Sequence, residues 1–152
     1  MVQIFVDADA CPVKDETVRV AMRHKLAVQM VSNNWMRLPD GPDVHQVVVS
    51  DGFDAADDWI VEHCAAHDIV ITSDIPLAAR CLERGAYVID PKGEPFSPSS
   101  IGSALAMRDL NAHLRDIGEI TGGARPFAPR DRSNFLGALE NLARRARRAA
   151  EA

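Results

Sequence analysis

Long apolar runs are missing from this chain. None approaches the roughly 18–20 residues that a membrane-crossing helix needs. Cysteine is scarce as well. Cys11, Cys64 and Cys81 are odd in number, widely spaced and without a CxxC pair. That pattern argues against a disulfide framework or a thiolate zinc site and fits reduced thiols. The five histidines (His24, His45, His63, His67 and His113) show neither HxH nor HExxH spacing, so zinc is not expected. Aromatic residues make up only 5% of the chain, which leaves few platforms for stacking bases. The opening "MVQIFVDAD" has neither a basic n-region nor a cleavage site, so a cytoplasmic location is expected.

What is present suits one soluble domain over residues 1–152. The chain is 47% apolar and 26% charged, long enough to bury a real core. Its net charge of -5 hides an asymmetry. From Gly122 onward, seven arginines face Asp131, Glu140 and Glu151, a net of 7 - 3 = +4. The preceding residues carry 10 Lys/Arg against 19 Asp/Glu, a net of -9. An acidic body with a basic Gly/Pro loop and tail, from about residue 120, is compatible with a metal site plus a phosphate-binding arm. It is equally compatible with a solvated Arg-rich helix.

Along the chain, short apolar runs alternate with stretches of helical spacing. Strands are expected at Val2–Val6, Leu26–Val31, Val44–Val49, Asp68–Ile71 and Ala86–Ile89. Helices are expected at Val13–His24, Asp54–Cys64, Ile75–Arg84, about Ile101–Ile117 and about Ser133–Ala149, with "DPKGEPFSPSS" as a loop. Strands alternating with helices of about ten residues indicate βαβ units, hence an α/β fold around a parallel sheet of about five strands.

In such sheets ligands bind beyond the carboxyl ends of the strands, and acidic residues recur there. Asp7 and Asp9 end the first strand, in "FVDADACP". Asp51, Asp54, Asp57 and Asp58 follow the third, Asp74 follows "IVITS", and Asp90 ends the fifth. Hard oxygen ligands gathered at one spot would make a Mg²⁺ or Mn²⁺ site. Each acid also has a plainer role open to it. Asp54 can cap the following helix with Asp57 three residues on. Asp74 or Ser73 can cap the helix containing Pro76, and Asp90 before Pro91 suits a turn. Asp9 shares a side with Asp7 only if the chain is still extended there. Lys14, Ser73 and Arg80 lie near the same edge as phosphate contacts, and Asn33-Asn34 can bind substrate or shape a turn. Cys11, beside two carboxylates, should have a raised pKa and act as a small packing residue.

The blocks "VDADACPVKDE", "VVVSDGFDAADDWI", "DIVITSDIPLAARCLERGA", "IGSALAMRDL" and "TGGARPFAPRDRSNF" resemble those of the YaiI/YqxD family of small bacterial proteins, over roughly residues 2–140. The layout in turn resembles PIN-like nuclease domains, which are three-layer α/β/α sandwiches with acids at the carboxyl edge of a parallel sheet. In that pattern Asp7 matches the acid ending strand one, and Asp74 matches the acid after the "VITSD" strand. Asp54, Asp57 and Asp58 compete for the middle position, with Asp54 and Asp58 favoured because they share a helix face. The resemblance implies Mg²⁺- or Mn²⁺-dependent hydrolysis of phosphodiesters, with RNA as substrate. Asp7, Asp54, Asp58 and Asp74 would be catalytic, with Asp9 and Asp57 as further metal ligands. Arg125, Arg130 and Arg132, with the tail arginines, would contact phosphates.

Two other functions fit parts of the chain. "IFVDAD" matches locally the opening of haloacid-dehalogenase phosphatases, with Asp7 as nucleophile. The acidic edge would also serve a non-catalytic module that binds a metal or a partner.

Overall fold

The computed structural model describes residues 1–50, 52, 54–118 and 126–152. Strands β1 (Gln3–Asp7), β2 (Ala27–Ser32), β3 (Val44–Val48), β4 (Ile69–Ile71), β5 (Tyr87–Ile89) and β6 (Pro95–Phe96) form one sheet. Helices are α1 (Lys14–His24), α2 (Ala55–His63), α3 (Ile75–Glu83), α4 (Ile101–Asp116) and α5 (Pro129–Glu151). The strand order is β3-β2-β1-β4-β5-β6. The first five strands run parallel and β6 alone is antiparallel. The architecture is therefore α/β with a mostly parallel sheet, as the alternation predicts.

Period-two alternation along the central strands separates two apolar clusters. Ile4, Val6, Val28, Met30, Ile69 and Ile71 pack with Val13 just before α1, with Val18 and Val20 of α1 and with Phe135, Leu139 and Ala143 of α5. The intervening Phe5, Val31, Val70 and Val88 pack with Ile60 of α2 and Leu77, Ala78 and Cys81 of α3. Both sides of β1 and β4 are thus covered by apolar groups. This is why those strands read as continuous hydrophobic runs.

Beyond shifts of one or two residues at element ends, two features differ from the sequence expectation. The sheet has six strands rather than about five, because the "DPKGEPFSPSS" loop turns back to pair with β5. Asp90 Oδ1 accepts from the Lys92 and Glu94 amides at 2.9 and 3.0 Å, which closes the turn. Pro95, with no amide hydrogen, is confined to an edge. Helix α5 also starts a turn before Ser133. Pro129 sits at its first turn, and the Ala128 amide donates to Asp131 Oδ2 at 2.8 Å.

At the opposite end of the sheet, buried Asp68 fixes the strand starts. It accepts from the Gln3 and Ala65 amides, both at 2.9 Å. After α3, Gly85 takes φ +86° to end the helix, and a Cβ there would stand 3.3 Å from Ala66. Among the described residues, no helix is long and apolar enough to cross a membrane.

Candidate functional site

Parallel pairing brings the ends of β1, β2 and β4 to one edge. Asp7, half-buried, is the last residue of β1. Its Oδ2 accepts from the Thr72 hydroxyl at 2.9 Å, just past β4. Thr72 Oγ1 in turn accepts from the Asp74 amide at 3.0 Å. Asp74 Oδ1 accepts from the Leu77 amide at 3.0 Å, capping α3. Asp74 is therefore a helix cap as well as a residue of the acidic edge.

The chain does not stay extended after Asp7. Ala8–Ala10 forms a 3₁₀ turn, so the alternation of an extended strand no longer sets where Asp9 stands relative to Asp7. The Asp9 carboxylate accepts from the Asn33 amide at 3.1 and 3.3 Å, tying the end of β1 to the end of β2. Asp54 stands at the start of α2 and makes no side-chain cap bond. The plain capping role is thus unfilled there.

These groups border one cleft of about 500 Å³. Asp7, Asp9, Asp54, Asp57 and Asp74 line it, with Asn33, Asn34 and Ser50. Ser50 lies inside the block "VVVSDGFDAADDWI", but nothing in its spacing marks it as a cleft residue. The concentration of charge is visible in the acid strengths. Burial, then the carboxylates of Asp74, Asp7 and Asp54, push Asp57 up to about 6, with Arg80 opposing. Asp7 is also raised, chiefly by burial and then by Asp74 and Asp9, while the Thr72 hydroxyl opposes the rise.

Every donor facing this cleft is an oxygen or an amide, the set preferred by Mg²⁺ and Mn²⁺. Asn33 Oδ1 is buried without a hydrogen-bond partner, an unsatisfied hard oxygen beside the acids. The chemistry of the donors therefore fits a hard dication. Among the described residues, no three His, Cys, Asp or Glu side chains are drawn together closely enough to hold an ion as they stand. Ligation would require the carboxylates to turn inward.

The other expected residues lie elsewhere. The structure brings Asp54 together with Asp57 and turns Asp58 away. Asp58 pairs with Arg80 at 2.9 Å, and neither borders the cleft. Lys14 Nζ donates to the Cys11 carbonyl at 2.8 Å, and exposed Ser73 does not line the cleft. Arg132 donates to the Pro12 carbonyl and to Glu16, at 2.9 Å in each case, and lies over the Phe127 ring. Arg130 is exposed; Arg125 and Asp51 lie outside the described residues. Cys11 has its pKa raised as expected, but burial is the main cause and the carboxylates are minor.

Among the described residues, no tail arginine lines the cleft. Arg132 meets Glu16 at the start of α1, whereas Arg147 lies 3.2 Å from His24 at its end. Fifteen residues of helix separate the two, about 22 Å at 1.5 Å per residue. Arg145 covers the Tyr87 ring, and Arg144 stands 3.6 Å from Glu140.

Comparison with known proteins bears on this geometry. A family model described as an uncharacterised BCR, YaiI/YqxD family, matches residues 5–145. A UPF0178 protein of Agrobacterium fabrum is 56% identical, over 96% of this chain and 95% of its own. Another, of Rhodopseudomonas palustris, is 55% identical over 96% and 94%. A third, of Gluconacetobacter diazotrophicus, is 55% identical over 100% and 99%. No solved structure matches the chain.

Proposed function

The chain belongs to the YaiI/YqxD family, and from its acidic cleft we propose that it is a metal-dependent nuclease hydrolysing phosphodiesters, with RNA as substrate and Mg²⁺ or Mn²⁺ as cofactor. One observation carries this reading: carboxylates from the ends of β1 and β4 and from the start of α2 share a cleft, and their repulsion helps hold Asp57 near 6. Among the described residues, no cation lines the cleft to compensate that charge. The packing of apolar clusters on alternate strand residues supports a three-layer α/β/α sandwich of the PIN-like kind.

Asp7, Asp57 and Asp74 would hold the ion, with Asp54 and Asn33 Oδ1 beside them. When bound, the dication neutralises phosphate charge and makes water a stronger acid. The chain's own residues prepare the place. Thr72 orients Asp7 by its hydroxyl, and Asp9 fixes the Asn33 backbone. The Leu77 amide occupies Asp74 Oδ1, so Asp74 Oδ2 would be the atom that reaches the ion. The phosphatase alternative asks Asp9 to act as acid and base beside Asp7. The Asn33 amide occupies that carboxylate, which favours hydrolysis by water without a side-chain nucleophile.

The test combines Mn²⁺ calorimetry with cleavage of single-stranded and duplex RNA and DNA. The expected result is metal binding and metal-dependent cleavage, both lost in Asp7→Asn with the circular dichroism spectrum unchanged. Cleavage by Asp7→Asn at the parent rate refutes the site. Metal binding with no hydrolysis of any polynucleotide refutes the nuclease and leaves a binding module. Turnover of aryl phosphates with phosphate trapped on Asp7 supports the phosphatase instead.

A further inference from the structure

Trp35 is the most exposed aromatic side chain among the described residues, with 74% of its surface in water. The other tryptophan, Trp59, is half-buried, stacked on His63 at 3.9 Å and tilted against Phe5. Leaving an indole in water forgoes the burial of a large apolar surface. Trp35 immediately follows Asn33 and Asn34, both of which line the acidic cleft.

The backbone around it is held on both sides. The Asn33 amide donates to Asp9, and the Ser32 hydroxyl donates to the Asn34 carbonyl at 2.7 Å. The Met36 amide donates to Gln46 Oε1 at 2.8 Å. A loop secured by three side chains thus displays a ring that packs against no other ring among the described residues. Such a display suits a flat apolar ligand whose neighbouring group reaches the cleft. An unpaired nucleobase attached to a phosphodiester has that chemistry; a paired base has its faces covered.

We infer that Trp35 is a stacking residue for an unpaired base next to the phosphodiester in the acidic cleft, making the substrate a single-stranded polynucleotide. This rests on the nuclease reading for the role of the cleft. Stacking on an aromatic side chain tolerates every base, so Trp35 selects single strands rather than a sequence.

The experiment measures binding by the parent chain with CaCl₂ in place of MnCl₂, Ca²⁺ being a hard dication that takes the same oxygen ligands, and a gel of the recovered probes confirms that they stay intact. The probes are a labelled oligouridine and an abasic oligomer of equal length. Trp35→Ala should weaken oligouridine binding by about 5- to 150-fold, the span of one base stack. It should leave the abasic oligomer within about twofold, and Trp35→Phe should recover most of the loss. In a Trp59→Phe chain, where Trp35 is the sole indole, oligouridine should quench the fluorescence and the abasic oligomer should not. Equal affinity of Trp35→Ala and its parent for oligouridine overturns the assignment, as does an equal loss on both oligomers. The two readings fail separately. If the parent cuts no polynucleotide yet Trp35-dependent binding appears, the nuclease falls and the stacking stands. If RNA is cut and Trp35→Ala binds both oligomers normally, the stacking alone falls.

Discussion

Asparagine at position 57 should make the protein more stable near neutral pH. Burial and three neighbouring carboxylates raise Asp57 from 3.8 to about 6, so the folded state binds its proton more tightly than the unfolded chain. Stability from this group is full at low pH and is lost as pH rises from 3.8 through about 6. Such a rise corresponds to ~3 kcal/mol for a fully shielded group. Asp57 faces an open cleft, and solvent screening brings the cost to about 1 kcal/mol. Asp57→Asn removes the charge and keeps the shape. Urea unfolding well above pH 6 should show the variant about 1 kcal/mol more stable, or about 2–4 °C higher in Tm. Near pH 3.8 the difference should nearly vanish, because the parent is then protonated. Glu140, whose pKa is lowered through His24 and Arg23, gives the opposite pH dependence. It is common to both proteins and drops out of the difference. Saturating Mn²⁺ should reverse the order, since only the parent keeps its full set of carboxylates. A variant less stable than the parent at neutral pH, or a difference independent of pH, refutes the account of the cleft as stored repulsion.

Two further substitutions separate scaffold from site. Arg132→Ala strips buried Glu16, whose side chain is 7% exposed, of its cation. It should cost about 2 kcal/mol in urea unfolding while leaving calorimetric Mn²⁺ affinity unchanged. Gly93 has φ +90°, and a Cβ there would lie 2.9 Å from the Asn134 carbonyl oxygen of α5. Gly93→Ala should cost about 1–3 kcal/mol in the same assay, and no loss would mean that the β5–β6 turn can move off α5.

The sequence made the sheet legible because its strands are buried on both sides and its helices carry their own stops. Gly85 after α3 is one such stop, and Pro76 near the start of α3 marks the other end. The two-residue β6 was not legible, since "EPF" has no periodicity to read and depends on the Asp90 turn. In the site, Asp7 and Asp74 stand out at strand ends, where topology alone brings them together. The choice among Asp54, Asp57 and Asp58 was out of reach. It turns on a partner from another element, Arg80 of α3, which draws Asp58 aside. Likewise, nothing local says that the chain folds into a 3₁₀ turn after Asp7 and hands the Asp9 carboxylate to Asn33.

The charge asymmetry also changes meaning in three dimensions. A basic tail beside an acidic body suggests an arm that draws a polyanion to the metal site. In the folded chain Arg80 is already paired with Asp58 and Arg132 with Glu16. Arg147 lies about 22 Å of helix from Arg132, against His24. The cleft itself is lined by five carboxylates, which repel phosphate until a cation offsets them. On the proposed nuclease reading, affinity at this edge would come chiefly from the bound ion and from contact with a base. On that proposal the acidic cleft and the exposed Trp35 would be complementary: the metal would make the phosphate acceptable, and the indole would supply attraction that salt does not screen.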